Sequence, residues 1–466
     1  MKFDDDRQTR FANLSGDHNP LHVDHQQARR SQFGGRVVHG VHIVLAALES
    51  LDWSTPTRIL RLDAQFRAAV LVDDTVSFST QTLADGSTRT TVRVGQQLSA
   101  MIVVETSHVD SIGRVTAPPT WSTEVVARST FAEVSTSRGT DELAIDPLLW
   151  SKLFPGLANS LALADAAALL ATTRIVGMRC PGQWALFRRL SWSLGPAGDS
   201  KATDASPGTI QFEVAGVDPR FDLATLAIAA GERLIQAEVI VREPPPRQAG
   251  MDVVSARVAP DDFIGTRALV VGGSRGLGEL AAKVLASGAA EVLLTYRTGA
   301  DDAQRVVSHL GRSAKAIQFT VEAPTEEFLR AIGEFAPTHL SYFATPVIAR
   351  RPPATWHPPT YEQFANVYAV SLSRLLGSID GAGTLCSVLF PSSTFLDDPP
   401  VGFEEYVAAK HAGEAVCRAW QRSHPEQQVV VERFPPLVTD QTAALLGSDA
   451  LGNLDILIPA LRRTKV

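Results

Sequence analysis

A carboxylate, an amide and an imidazole stand close together near the N-terminus. Asp17, Asn19 and His22 lie within six positions, around Pro20. Because proline disfavours a helical conformation in the residue before it, this segment is predicted to be a turn or loop that can aim Asp17 and His22 at one point. A carboxylate and an imidazole that converge on one water or hydroxyl can move protons in both directions. The alternative is a tight turn whose Asp and Asn only cap backbone amides.

A glycine and an apolar run follow this segment. Gly40 directly precedes residues 41–50, VHIVLAALES, which predict a buried helix. The N–H of Gly40 would then point along the helix dipole as a donor for a developing enolate oxygen. An acid/base pair plus such a donor suits hydration or dehydration beside a thioester carbonyl. His39 and His42 are predicted to be packed or hydrogen-bonded histidines.

A second set of candidate residues surrounds a glycine-rich loop. Residues 271–278, VGGSRGLG, follow a strand pattern and open a helix, where glycines let the backbone approach a pyrophosphate. The predicted cofactor-binding residues are Gly272, Ser274, Arg275, Gly276, Leu277, Gly278 and Arg297. Arg297 ends the next strand, where a carboxylate would bind the ribose of NAD, whereas arginine suits a 2′-phosphate. The pattern predicts NADP(H), although both arginines could instead be solvated surface charges.

Tyr406 and Lys410 lie four residues apart and therefore on one face of a predicted helix. A nearby ammonium lowers the pKa of a phenol and lets it exchange a proton with a carbonyl or alcohol. Ser393 could hold the same oxygen, and its neighbour Ser392 could replace it in this role. The alternative is an ordinary amphipathic helix in which Tyr406 and Lys410 are unrelated.

The elements that must position these residues form several units, as expected for 466 residues. A helix followed by antiparallel strands occurs twice before residue 243, which predicts a sheet wrapped around a central helix in duplicate. Residues 118–143 are expected to be a connector between the two, with no element predicted in it. Strands and helices alternate from residue 263, which predicts a parallel doubly wound sheet. The predicted units are residues 1–118, residues 119–243 without an acid/base pair, a Pro-rich linker at 244–262, and residues 263–466.

Composition limits the class of protein. The formal charge of -7 argues against a nucleic-acid binder, and three dispersed cysteines predict neither a disulfide framework nor a metal site. Without an apolar signal core or a long apolar run, the chain is expected to be cytoplasmic, with no membrane partner.

Residues 11–40 closely resemble the signature of MaoC-like, R-specific enoyl-CoA hydratases. The residues that carry the resemblance are Phe11, Ser15 to Asp17, Asn19 to His22 and Ala28. The resemblance implies a double hot-dog fold of the α+β class, with Asp17 and His22 as the catalytic pair, Asn19 in support and Gly40 as the oxyanion donor. In that family the half without the motif widens the acyl tunnel. In the familiar eukaryotic double hot-dog hydratases the motif is in the C-terminal half, not the N-terminal one.

Residues 263 to about 440 resemble the short-chain dehydrogenase/reductase family, in the order glycine loop, serine and Tyr-x-x-x-Lys. The resemblance implies an α/β Rossmann-like domain in which Tyr406 is the acid/base, Ser393 orients the carbonyl and Lys410 binds the nicotinamide ribose. Several family positions differ: these are Val271, Phe343 to Thr345, Ser371 and Pro436. These departures leave room for a degenerate reductase.

The two halves share one substrate type, a 3-hydroxyacyl thioester on coenzyme A or acyl carrier protein. The leading hypothesis is a bifunctional enzyme that reduces 3-ketoacyl thioesters with NADPH and dehydrates the R-3-hydroxyacyl product, or hydrates a 2-enoyl thioester. The alternatives are a monofunctional hydratase with an inactive nucleotide-binding half, an inactive thioester-binding scaffold, and a reductase for an unrelated carbonyl. A homodimer is expected because both folds commonly pair their sheets.

Overall fold

The computed structural model divides the chain into two compact units, Met1–Pro244 and Pro245–Val466. It describes every residue except 32, 114–125, 128–130, 184, 196–207, 243–245, 349–355, 382, 443–448 and 466. Among the described residues, none of the helices combines the length and apolarity that crossing a bilayer requires.

The first unit contains one antiparallel sheet and several helices. The strands are β1 (Thr57–Phe66), β2 (Val76–Thr82), β3 (Thr88–Val94), β4 (Gln97–His108), β5 (Arg138–Glu142), β6 (Leu186–Leu194), β7 (Thr209–Asp218), β8 (Leu223–Ala230) and β9 (Arg233–Ile240). The helices are α1 (Asp5–Ser15), α2 (Pro20–Val23), α3 (His25–Ala28), α4 (Gly40–Glu49), α5 (Phe131–Val134), α6 (Pro147–Leu153), α7 (Pro155–Ala158) and α8 (Leu163–Arg174), the last continued by a π-helical turn, Ile175–Arg179.

The nine strands run in the order β2-β3-β4-β1-β6-β9-β8-β7-β5. The antiparallel pair β1–β6 joins the first repeat, predicted as residues 1–118, to the second repeat, predicted as residues 119–243. Helices α4 and α8 are buried nearly all round and share one core with the inner face of the sheet. A helix that is apolar on every side has to be enclosed, and here the sheet encloses it. The double hot-dog fold predicted from the sequence is confirmed.

Two buried charged side chains of α8 join the repeats through hydrogen bonds to the backbone of the first repeat. The Asp165 carboxylate of α8 accepts hydrogen bonds from the Ile59 amide of β1 and from Arg233 of β9, both at 2.7 Å. Arg174, at the end of α8, pairs with Asp141 of β5 at 2.9 Å and donates to the Ser15 carbonyl of α1 at 3.2 Å. The second repeat is therefore fixed against the segment that carries Asp17.

The second unit is a parallel sheet with helices between its strands. The strands are β10 (Arg267–Val271), β11 (Glu291–Tyr296), β12 (Ala314–Gln318), β13 (His339–Tyr342), β14 (Ser387–Ser393) and β15 (Gln428–Phe434). The helices are α9 (Met251–Ser255), α10 (Gly276–Ser287), α11 (Ala300–Leu310), α12 (Glu326–Phe335), α13 (Pro358–Ala365), α14 (Leu372–Asp380), α15 (Glu404–Ser423) and α16 (Asn453–Arg462), with a π-helical segment, Asn366–Ser371, before α14. The order β12-β11-β10-β13-β14-β15 is that of a Rossmann-like doubly wound sheet, as the sequence predicted.

The structure differs from the sequence interpretation in two segments. Residues 118–143 contain β5, an edge strand that pairs with β7. Much of the segment predicted to be a linker, 244–262, is packed structure: Ala249, Val254 and Val258 belong to the core of the second unit. The proline-rich start of that segment, residues 243–245, lies outside the described residues. Apolar side chains after the prolines therefore decide where the second unit begins.

Candidate active sites

The loop that carries Asp17 and His22 is shaped by its caps. Helix α1 ends at Gly16, whose φ of 71° is a left-handed conformation that glycine adopts without strain. Asn19 caps α2, and its side-chain oxygen accepts a hydrogen bond from the Leu21 amide at 3.0 Å. Asp17 and His22 are 1% and 8% exposed, so the predicted pair is held inside the first unit.

One ring nitrogen of His22 is committed to the backbone. Nδ1 lies 2.7 Å from the Val37 carbonyl oxygen, which can only accept a hydrogen bond, so Nδ1 carries the proton. In the neutral ring Nε2 is then a proton acceptor. Burial lowers the pKa of His22, and the nearby Asp17 carboxylate opposes this effect.

Residues of the second repeat contact the Asp17 carboxylate and fix its position. Thr173 of α8 donates its hydroxyl proton to Oδ2 at 2.8 Å, while the Asn19 amide donates to Oδ1 at 3.2 Å. Gly177, in the π-helical turn, leaves room for the carboxylate, since a Cβ there would lie 2.3 Å from Oδ1. Burial raises the pKa of Asp17, and the His22 ring and these hydrogen bonds oppose the rise.

Asn19 also ties the loop of Asp17 and His22 to the second repeat. Its side-chain amide donates to the Gly177 carbonyl at 2.9 Å and to the Gly182 carbonyl at 3.2 Å. These bonds hold the loop against the π-helical turn on which Asp17 rests.

His39 packs behind the pair. Its Nε2 donates to the backbone oxygen of Asp17 at 2.9 Å, and its ring stacks on that of His22 with centroids 3.9 Å apart. Burial and the neighbouring His22 hold the pKa of His39 well below its ordinary value. The ligand atoms of Asp17, His22 and His39 lie within 4.8 Å of one another. His22 Nδ1 and His39 Nε2 each donate to a backbone oxygen, and the tautomer fixed in this way leaves His22 Nε2 suited to proton transfer.

The predicted oxyanion donor faces the same cavity. Gly40 is the first residue of α4, so its N–H has no partner within the helix. A cavity of about 250 Å³ is bordered by Asp17, His22 and Gly40 and otherwise largely by apolar side chains. A Cβ at Gly40 would lie 3.1 Å from the Phe187 ring, so a side chain there would narrow the cavity. His42 is buried and stacks on Phe11, as predicted for a packed histidine.

The glycine-rich loop connects β10 to α10 at the point where the strand order reverses. Gly272 has φ of 79° and packs on the backbone of Phe343 and Ala344 after β13. A Cβ at Gly278 would lie 2.2 Å from the Gly272 carbonyl oxygen, so the turn tolerates only glycine. These features fit the cradle that a dinucleotide pyrophosphate needs at a helix N-terminus, to which Ser274 and Leu277 also belong.

The two predicted phosphate-binding arginines differ in their surroundings. Arg297, just after β11, is exposed, which fits both a contact with a 2′-phosphate and a solvated surface charge. Arg275 instead donates from Nη1 to the Asp440 carboxylate at 2.6 Å. Asp440 is 165 residues away in sequence, so no local pattern indicated that it neighbours the glycine-rich loop.

Tyr406, Lys410 and Ser393 come together at the end of β14 and the start of α15. The Ser393 side chain lies close enough to Tyr406 to lower the pKa of its phenol, whereas the Ser392 hydroxyl donates to Glu414 at 2.7 Å. Of the two serines, Ser393 is therefore the one placed to act with the phenol. Burial raises the pKa of Tyr406 to about 12, contrary to the lowering expected from the lysine.

Lys410 does not offset this rise in the pKa of Tyr406, because its ammonium is directed at other groups. Its ammonium donates to the Pro391 carbonyl at 2.6 Å and lies 4.0 Å from the centre of the Tyr368 ring, but 5.9 Å from that of Tyr406. Burial lowers the pKa of Lys410 to about 7, so its charge is only partly present near neutrality. Ser371 is buried, and its hydroxyl has no hydrogen-bond partner among the described residues.

Together these features define a chain with a hot-dog unit around a buried acid/base pair and a Rossmann-like unit with a Tyr/Ser/Lys cluster. Residues 1–104 match the MaoC-like domain family and form a MaoC-like domain. No curated protein sequence matches the chain significantly.

Solved structures similar to the chain include several short-chain dehydrogenases. One from Burkholderia cenocepacia J2315 in complex with NADP is 26% identical, with a TM-score of 0.35, over 39% of this chain and 78% of its own. The angucycline C-6 ketoreductase LanV with bound NADP is 22% identical, with a TM-score of 0.33, over 36% and 71%. One from Escherichia coli CFT073 complexed with NADPH is 17% identical, with a TM-score of 0.39, over 44% and 94%. The fold of the second unit follows from its own strand order.

Proposed function

We propose that the chain is a bifunctional acyl-thioester enzyme. The first unit dehydrates R-3-hydroxyacyl thioesters or hydrates 2-enoyl thioesters, and the second reduces 3-ketoacyl thioesters with NADPH. The observation that carries the proposal is the buried Asp17–His22 pair beside Gly40 at a largely apolar cavity. A 3-hydroxyacyl thioester is the product of the reductase and the substrate of the dehydratase.

In the first unit the chain's own residues supply both proton transfers. Dehydration removes a proton from C2 and returns a proton to the C3 hydroxyl, which leaves as water. The Asp17 carboxylate and His22 Nε2 act as this acid/base pair, and the Gly40 N–H stabilises the enolate oxygen of the thioester. Thr173 and Gly177 keep the carboxylate facing the substrate. Hydration is the reverse sequence.

The carrier of the acyl group has a phosphate on its pantetheine arm, whether it is coenzyme A or acyl carrier protein. Arg67, Arg188 and Arg242 line the same cavity as Asp17. Guanidinium groups bind phosphate with paired hydrogen bonds, so these arginines support a phosphate-bearing thioester as the substrate.

In the second unit Tyr406 gives its phenolic proton to the ketone oxygen while Ser393 holds that oxygen. The bound NADPH would supply the hydride to the carbonyl carbon. Lys410 would meet the cofactor ribose and compensate the charge of the phenolate. The arginines near the glycine-rich loop support NADPH, and therefore the reductive direction.

A second candidate is a hydratase whose nucleotide-binding half does not turn over. The position of Lys410 favours it, because its ammonium is enclosed by the Tyr368 ring and the Pro391 carbonyl. In that case the second unit would bind nucleotide without reducing a thioester.

The activities of the wild-type chain separate the two candidates, and two single substitutions assign each activity to its unit. Asp17→Asn should abolish hydration of an enoyl-CoA and leave oxidation of NADPH by a 3-ketoacyl-CoA intact. Tyr406→Phe should abolish oxidation of NADPH by a 3-ketoacyl-CoA and leave hydration of an enoyl-CoA intact. If the wild-type chain hydrates enoyl-CoA but oxidises no NADPH with any 3-ketoacyl thioester, the second candidate replaces the first. If it does neither, both are wrong.

A further inference from the structure

The loop after the last strand of the second unit places a carboxylate on the glycine-rich loop. Asp440 accepts a hydrogen bond from Arg275 Nη1 at 2.6 Å, and the two side chains are only 11% and 29% exposed. A charge-assisted contact of this kind is shorter and stronger than a neutral hydrogen bond. Arg275 is therefore already engaged by an anion of the same chain.

Hydrogen bonds from buried side chains fix the position of the segment that carries Asp440. Two residues before it, Val438 exchanges backbone hydrogen bonds with the side chain of Asn453, at 3.1 Å to Oδ1 and 2.7 Å from Nδ2. Gln248 donates to the same Val438 carbonyl at 3.0 Å. Asn453 and Gln248 are both buried, so the segment is anchored rather than resting loosely on the surface.

The anchored segment touches the place where α10 begins. The atom nearest to a Cβ built at Gly276 is Cγ2 of Thr439, at 3.9 Å. Gly276 has φ of 58° and opens the helix whose N-terminus would face the pyrophosphate. Asp440 thus lies beside the residues that fit a dinucleotide.

We propose that Asp440 competes with the 2′-phosphate of NADP(H) for Arg275 and so limits the preference of this chain for NADP(H) over NAD(H). This inference rests on the proposed cofactor site. A 2′-phosphate dianion that approaches Arg275 must displace the carboxylate or lie beside it, and both cost binding free energy. NAD(H) has a hydroxyl at this position and meets neither obstacle.

The test is Asp440→Asn, which keeps the shape of the side chain and removes its charge. Binding to the full chain is measured by titration calorimetry with NADP⁺, NAD⁺ and the fragment 2′-AMP. We expect NADP⁺ and 2′-AMP to bind about five-fold more tightly, the range of a partly exposed ion pair, and NAD⁺ to change by less than about two-fold. Asp440→Ser is a second variant if the first does not fold, and thermal melting checks both.

Arg275→Gln supplies the double-mutant control. This variant should weaken NADP⁺ binding, and Asp440→Asn should then have no further effect, because the group for which the anions compete is gone. Weaker NADP⁺ binding in Asp440→Asn would mean that Asp440 orients Arg275, and would overturn the inference. An unchanged gain in the Arg275→Gln background would also overturn it. A wild-type chain that binds neither nucleotide would instead refute the proposed cofactor site itself.

Discussion

Replacing Thr173 with valine tests whether the second repeat tunes the acid/base pair of the first. The Thr173 hydroxyl donates to Asp17 Oδ2 at 2.8 Å, and both side chains are 1% exposed. A hydrogen bond to a buried charged group is worth about 1.5–3 kcal/mol, and one pKa unit corresponds to about 1.4 kcal/mol. Thr173→Val should therefore raise the pKa of Asp17 further, by about one to two units.

The assay is the pH dependence of kcat/KM for hydration of an enoyl-CoA. Its acid limb reports deprotonation of the Asp17–His22 pair in the free enzyme. In Thr173→Val this limb should move about one to two pH units to the alkaline side. Thr173→Ser, which retains the hydroxyl, should keep the wild-type limb. An acid limb at the same pH in both variants would refute the reasoning, even if Thr173→Val were less active.

Stability offers an independent readout of the same substitution. Because burial raises the pKa of Asp17 in the folded chain, the folded state holds this proton to higher pH than the unfolded state. The free energy of unfolding therefore falls as pH rises through the raised pKa. Thr173→Val should make that fall larger and extend it to higher pH than Thr173→Ser, in urea titrations of the first unit's transition.

Three further predictions concern single residues. Gly177→Ala should abolish enoyl-CoA hydration but not NADPH oxidation, because a Cβ 2.3 Å from Asp17 Oδ1 must displace the carboxylate. Retained hydration would show that the reaction does not need this position of the carboxylate. Tyr406→Phe should lower 3-ketoacyl reduction by about 10²–10⁴-fold while NADP⁺ still binds in calorimetry, and undiminished reduction would exclude Tyr406 as the acid. Burial lowers the pKa of Lys410 from 10.5 to about 7, so between these pH values the unfolded chain binds more protons than the folded chain. The free energy of unfolding should therefore rise with pH across this range. Lys410→Met should lose that increase in urea titrations, and an identical slope in both proteins would contradict the lowered pKa.

Local patterns were sufficient to predict the main elements of the fold. Residues 41–48 are apolar apart from His42, and the helix Gly40–Glu49 is enclosed by the sheet. β5 was missed because its residues, RGTDE, lack apolar alternation and are held at a sheet edge by β7. Tertiary pairing, rather than local preference, makes this segment a strand.

The candidate site was predictable only where its residues are close in sequence. Asp17, Asn19 and His22 share one short loop, so their spacing already limits how they can be arranged. Thr173 and Gly177 reach Asp17 from more than 150 residues away, through the packing of the two repeats. The available signal was a pair of threonines, Thr172 and Thr173, in a largely apolar helix that is followed by a glycine. A buried helix can contain such residues for packing alone.

The same limit applies to the second site. The glycines and Arg275 were found from their spacing, but the Arg275–Asp440 contact depends on a segment that follows β15. Likewise, the four-residue spacing put Tyr406 and Lys410 on one helix face. It did not reveal that the lysine would lie against Tyr368, from a different helical segment.

We propose that one chain both reduces a 3-ketoacyl thioester and dehydrates the 3-hydroxyacyl product. The most direct measurement supplies the purified protein with a 3-ketoacyl-CoA and NADPH and follows the thioesters by mass spectrometry. We expect the 3-hydroxyacyl and 2-enoyl species both to appear, and Asp17→Asn to stop the reaction sequence at the hydroxyacyl species. An untouched 3-ketoacyl-CoA, in a preparation that still dehydrates R-3-hydroxyacyl-CoA, would contradict the bifunctional proposal.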